Sequence, residues 1–261
     1  VVSAVAIGIL TWVEQARVRA GRVVLIDLSL FRIRSFGLGS MAALIVSMGE
    51  FGVLFSFPLF LQSALGYTAL GAGALLASLA LGSFLSAPTT ARLAARIGTR
   101  NVARLGMGLE AIGILGLGLV VTAQVSAAAM VGWLVVYGIG VGYASAQLTG
   151  LILADVPVRQ SGQASGTQST ARQIGSALGT AVLGTVLFVG LAHDTETRVA
   201  QVPGVDAAQA AEVARLVEES AGTAIPGIAA QPGGEPIAEA ARAAFADALR
   251  RTAVVGAGFV T

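Results

Sequence analysis

Long apolar runs alternate with short polar stretches along the whole chain. Five runs, at about 36–61, 70–91, 102–123, 127–154 and 170–192, reach the length of roughly 20 residues that a helix needs to cross about 30 Å of hydrocarbon. Two shorter apolar runs lie at the ends, 1–13 and 250–261. Both read as parts of further spans, so the chain reads as a fragment cut within a helix at each end. Apolar and polar residues do not alternate with period two, which argues against a membrane β-barrel. Lipid offers no partner to backbone N–H and C=O groups, so spans of this kind are helices. The pattern predicts an all-α, polytopic helical membrane protein.

The polar stretches differ in charge. Residues 14–35 carry Arg17, Arg19, Arg22, Arg32 and Arg34 against Glu14 and Asp27. Residues 92–104 carry Arg92, Arg96, Arg100 and Arg104 with no acid, and 155–172 carry Arg159 and Arg172 against Asp155. Residues 62–69 and 122–127 carry no charge, and 193–249 hold nine acids and three arginines. Basic stretches thus alternate with uncharged or acidic ones, and the positive-inside rule places 14–35, 92–104 and 155–172 in the cytoplasm. The long outer stretch 193–249 has its own pattern. Residues 205–220 show a helical period with Asp206 as N-cap and a thin stripe of Val213, Leu216 and Val217. Seven glycines and prolines between 222 and 236 predict a flexible linker. From Ile237 an amphipathic helix runs through Phe245 and Leu249 into the last apolar run. This stretch reads either as a solvated cap over the outer mouth or as a lid that senses substrate.

Composition narrows the class. Of 261 residues, 55% are hydrophobic and 11% charged, and the mean hydropathy is +0.82. So few charges cannot cover a soluble globule of this size, which excludes a soluble enzyme, a disordered protein and a coiled coil. The absence of cysteine removes disulfides and thiolate chemistry, and the single histidine, His193, cannot build a histidine metal site. No cofactor or metal motif is present. Arginines do not cluster with aromatics on one face, as a nucleic-acid surface requires.

Ionisable groups within apolar runs are costly and mark function by default. Glu50 lies about 14 residues, roughly 21 Å of helix, beyond Phe36, on a face with Ser40, Ala43 and Ser47. A carboxyl on that small, polar face can carry a proton, pair with a cationic substrate, or bond a neighbouring helix. Glu110 lies on a face with Ala103, Gly106 and Gly113, which suggests tight packing; it either takes part in proton or substrate binding or pairs with a cytoplasmic-side arginine. Arg172 is either an interfacial anchor or a partner for an acid or lipid phosphate at an inner gate. Gln147, after Tyr143, can bond substrate or another helix. Tyr137 to Tyr143 contains three glycines but lacks the strand, spacing and acid of a dinucleotide-binding loop. Gly138 with Gly142, and Gly175 with Gly179, are instead spaced for close helix contact. Phe55, Phe57 and Phe60 line a greasy pocket or face lipid.

Ala91-Arg-Leu-Ala-Ala-Arg-Ile-Gly-Thr-Arg-Asn101 resembles the Gly-x-Leu-Ala-Asp-Arg-x-Gly-Arg-Arg loop of the major facilitator superfamily, in its second-half copy. Leu93, Ala94, Arg96, Gly98 and Arg100 match, while Ala91, Ala95 and Thr99 depart from the pattern; the aspartate that latches the cytoplasmic gate in the family is replaced by Ala95. The stretches 28–36, 58–68 and 162–179, and the long acidic outer stretch, are similar to fourteen-span drug:proton antiporters of the QacA/EmrB type. The resemblance covers the whole chain. It implies that 1–13 ends a linker helix, 36–192 hold five helices of the C-terminal domain, and 250–261 begin the last span. The N-terminal six-helix domain would be the missing partner in the bilayer. It further implies proton-coupled export of hydrophobic or cationic drugs across the plasma membrane by alternating access. Glu50 would then lie on a cavity-lining helix and Glu110 on a peripheral one, with Arg92, Arg96, Gly98, Arg100 and Arg172 serving the inner gate. A lipid or metabolite exporter of the same fold, or a non-transporting membrane interaction protein, are the alternatives.

Overall fold

Helical hydrogen bonding does not stop where hydrocarbon would, and this decides where the elements begin and end. The computed structural model describes residues 28–122 and 125–261. The apolar run 1–13 and the basic stretch up to residue 27 lie outside the described residues. Regular secondary structure among the described residues is all helical: α1 (Arg34–Ser63), α2 (Ala69–Ile97), α3 (Thr99–Val120), α4 (Ala127–Leu153), α5 (Ser161–Val199), α6 (Ala207–Glu219), α7 (Ile225–Ala229) and α8 (Glu235–Val260), with short 3₁₀ turns before α1 and α5. The first five of these helices are long and apolar enough to cross a membrane.

The basic stretch 92–104, expected as a loop, is almost entirely helix. Helix α2 runs to Ile97 and α3 starts at Thr99, so the connection is Gly98 alone. Its φ of +85° lies in the region that only glycine adopts without strain. Arginine is a good helix former, so the charge that ends an apolar run need not end a helix. The same holds for α5, whose 39 residues extend about 58 Å and overshoot the expected run 170–192 at both ends.

Helices α2, α4 and α6 start on side-chain caps. Thr68 Oγ1 accepts from the Gly71 N–H (3.1 Å) and Ser126 Oγ from the Ala129 N–H (3.4 Å). At α6, Asp206 accepts from the Gln209 N–H (2.7 Å) while Gln209 Oε1 accepts from the Asp206 N–H (3.2 Å), a reciprocal box that satisfies two otherwise orphaned donors.

The main contacts join α1 to α5 and α8, α4 to α2 and α3, and α8 to α3 and α5. The glycine spacings make these contacts close. A Cβ on Gly175 or Gly179 would stand 2.2 or 2.1 Å from the carbonyl oxygen of Leu44 or Met48 on α1, and one on Gly138 would stand 2.0 Å from that of Leu79 on α2. On the opposite side of α4, Gly140 abuts Glu110 of α3 in the same way.

The stretch 193–249 is folded rather than loose. Of the stripe on α6, Val217 is fully buried and Val213 half-buried, while Leu216 is exposed. The region 222–236, expected to be flexible, contains α7 and buries Ile225 and Ile228. Those two side chains join a core that includes Phe57, Phe60, Leu187 and Phe245, which supplies the burial that a glycine–proline linker lacks. Phe57 and Phe60 therefore face neither a pocket nor lipid; Phe60 packs edge-on against Phe245 with ring centroids 5.6 Å apart. Phe55 alone of the three is partly exposed.

Helix α8 runs from Glu235 into the last apolar run without a break. Charged side chains tie it to α5, where Arg251 bonds Asp194 and Arg198 bonds Asp247, and within α8 Arg250 bonds Asp247 at 3.1 Å. Arg250 also donates to the carbonyls of Gly118 (3.3 Å) and Val121 (3.4 Å), capping the end of α3 where a cation is favoured. Because these pairs are half-open to solvent, their value is modest. Asp194→Asn is expected to cost about 1 kcal/mol, a fall of about 2–4 °C in the thermal midpoint, and the loss should shrink in high salt. Melting curves at two ionic strengths check this.

Candidate functional site

The face predicted on α1 turns inward. Ser40, Ala43, Ser47 and Glu50 are all buried. Opposite Glu50 stands Arg172 of α5, with Nη2 3.8 Å from Glu50 Oε2. That distance makes an ion pair but exceeds a hydrogen bond. The pair is asymmetric: the Glu50 side chain is 11% exposed and that of Arg172 33%. Behind it lies a crevice of about 10 Å³ between α1, α4 and α5, room for about one water molecule. Its wall includes Ser145, Thr149 and Gln168, and Gln168 Nε2 donates to Thr149 Oγ1 at 3.2 Å. On the other side of Arg172, an open depression of about 240 Å³ is lined by Phe51, Ser169, Gln173 and Ser176. Arg172 therefore stands between a buried carboxylate and an accessible surface.

Two further groups belong to this cluster. Tyr137 of α4 is 1% exposed, and its hydroxyl donates to the backbone carbonyl of Glu50 at 3.3 Å. Glu110 of α3 is also 1% exposed, and its Oε1 has no hydrogen-bond partner. The charges of Glu50 and Arg172 act on Glu110, and those of both glutamates on Tyr137. Four helices thus bring two carboxyls, one guanidinium and one phenol into one poorly solvated region, where electrostatic interactions are strong.

The structure regroups the residues singled out in the sequence. Arg172, read as an interfacial anchor or as the partner of an acid or lipid phosphate, pairs with the acid Glu50; α5 begins at Ser161 and so places Arg172 three turns inside the helix. Among the described residues Glu110 makes no ion pair within 4 Å; Arg172 is the cation whose charge acts on it. Gln147 is half-buried on α4 and does not line the crevice, where Ser145 and Thr149 stand instead. Tyr143 bonds Thr89 of α2 at 2.7 Å. Arg92, Arg96 and Arg100 are exposed around Gly98, well separated in the chain from the Glu50 pair. Tyr137, Thr149 and Gln168 went unnoticed in the sequence. A phenol inside an apolar run needs a hydrogen-bond partner, and Gln168 lies four residues before Arg172 on one helical face; both are legible signals.

Residues 2–180 match the profile of the Major Facilitator Superfamily. The chain is 30% identical over 220 residues to the multidrug resistance protein Stp of Mycobacterium tuberculosis, covering 84% of this chain and 40% of that protein. It is 28% identical over 236 residues to the multidrug efflux pump LfrA of Mycolicibacterium smegmatis, covering 90% and 45%. With a tetracycline resistance determinant of Streptomyces rimosus it shares 32% identity over 173 residues, 65% and 49% of the two chains. The chain thus spans less than half the length of these curated relatives. The match over most of its length, the all-helical fold and the five long apolar helices make this chain a multi-pass membrane protein belonging to the major facilitator superfamily of transporters.

Proposed function

We propose that this chain works as the C-terminal domain of a proton-coupled exporter of hydrophobic or cationic compounds, of the fourteen-span type. Its partner in the plasma membrane is an N-terminal six-helix domain that forms the other wall of a central cavity, and transport proceeds by rocking of the two halves. The basic stretches face the cytoplasm, in keeping with their arginine excess. The names of the relatives support drug export. The observation that carries the coupling is the Glu50–Arg172 pair beside an open depression.

With Glu50 ionised, the pair is neutral, and a cation in the depression competes with Arg172 for the carboxylate. When Glu50 takes a proton, the depression loses the carboxylate that a cation would bind. Proton and substrate then exclude one another, which is the requirement for exchange. Arg92, Arg96 and Arg100 serve the inner gate. The test uses the protein with both domains in energised inverted vesicles. Adding a lipophilic cation is expected to release protons from the acidified lumen; transport with no proton movement would overturn the reading.

A further inference from the structure

Glu110 is the deepest ionisable group near the cluster, and the exchange described above makes no use of it. Helices α3 and α4 meet at backbone contact on either side of it: a Cβ on Gly140 would stand 2.3 Å from the Glu110 nitrogen, and one on Gly113 would stand 2.6 Å from Tyr137 Cα. Backbone packs against backbone there, and Oε1 is left without a partner. The elements packed against α3 supply few compensating charges. Tyr137 comes from α4. The charged groups of α8 lie at its outer end, where Arg250 bonds Gly118, eight residues further along α3. The arginines of α2 are exposed at its inner end. What remains is Arg172, already matched by Glu50.

Charge balance then limits the cluster. Two ionised carboxylates against one guanidinium would leave a net negative charge in a poorly solvated core, which is strongly disfavoured. We propose that Glu50 and Glu110 share a single proton under the one charge of Arg172, so that one carboxyl is ionised whenever the other is protonated. The proton stands on one carboxyl or the other, and the charge of the core is the same in both states. Tyr137, whose hydroxyl reaches the Glu50 backbone carbonyl, stands within the field of both carboxyls. This deepens the role proposed for Glu50 and rests on it.

The test counts protonated carboxyls by infrared spectroscopy on the purified chain in lipid nanodiscs at neutral pH. The reading is the C=O stretch of a protonated carboxyl that shifts in heavy water. The other buried acid among the described residues, Asp194, is bonded to Arg251 and stays silent. Wild type is expected to show one such band, and Glu110→Gln none. Glu50→Gln should also lose it, because Arg172 then matches Glu110 and holds it ionised. The double variant Glu50→Gln, Arg172→Gln should regain it, since no cation remains. A misfolded single variant could lose the band, but only the shared proton predicts recovery on a second substitution. A band that persists in Glu50→Gln, fails to return in the double variant, or is absent from wild type overturns the proposal. None of these readings requires transport, so vesicles that move substrate without protons would sink the exporter reading alone.

Discussion

Glu50→Gln is expected to abolish proton-coupled transport while leaving the fold in place. Glutamine has nearly the shape of a protonated glutamate, so it fixes the cluster in its proton-loaded state. Substrate-driven proton release from vesicles should fall to background. Binding should split by substrate charge. A neutral hydrophobic compound is expected to keep its affinity within about threefold, since it makes no demand on the carboxylate. A cation loses the carboxylate that it would bind beside the depression. Two unit charges about 6 Å apart interact by about 3 kcal/mol at an effective dielectric of 20, and tenfold in affinity is about 1.4 kcal/mol. Cation binding should therefore weaken at least tenfold. Equilibrium binding of one cationic and one neutral dye, with expression matched, separates these outcomes. Unchanged coupling would make Glu50 a structural carboxyl and move the proton site to the other domain.

The positions of the spans were legible because hydrophobicity and helix length act on the same residues. Glu50 was legible for a related reason: a carboxylate in an apolar run has few explanations, and Ser40, Ala43 and Ser47 on its face already implied contact with protein. The glycine spacings on α4 and α5 foretold close packing for a similar steric reason. The element ends were less legible. Apolar runs mark where a chain would leave hydrocarbon, whereas α2 and α5 continue as helix through arginine and threonine. That offset places Arg172 three turns inside α5, beside Glu50. Arg250 was taken as the start of a span; its bonds to Asp247 and to the α3 carbonyls depend on which helices meet, and no local pattern encodes that. Tyr137 was passed over because its neighbours Gly138, Gly140 and Gly142 drew attention to the backbone.

The second large effect concerns the contact that holds the pair together. Gly179→Leu is expected to prevent normal packing of α5 on α1, whereas Gly166→Leu on the same helix should be tolerated or mildly stabilising. A Cβ at 179 would lie 2.1 Å from the Met48 carbonyl oxygen. That atom is backbone and cannot rotate away, so the helices must part by more than an ångström before the rest of the leucine is accommodated. Overpacking of this kind costs about 1–3 kcal/mol and sometimes more, and a rigid backbone contact belongs at the upper end. Nothing lies within 4 Å of a Cβ at Gly166, and replacing glycine in a helix gains up to about 1 kcal/mol. Thermal melting of the two variants should thus move in opposite directions, by several degrees downward for Gly179→Leu. Gly179 is two turns from Arg172 on α5, and Met48 is two residues from Glu50 on α1. The parting that accommodates the leucine also widens a 3.8 Å ion pair that has no hydrogen bond to hold it. Gly179→Leu protein that survives purification should therefore lose proton coupling as well, and Gly166→Leu should not.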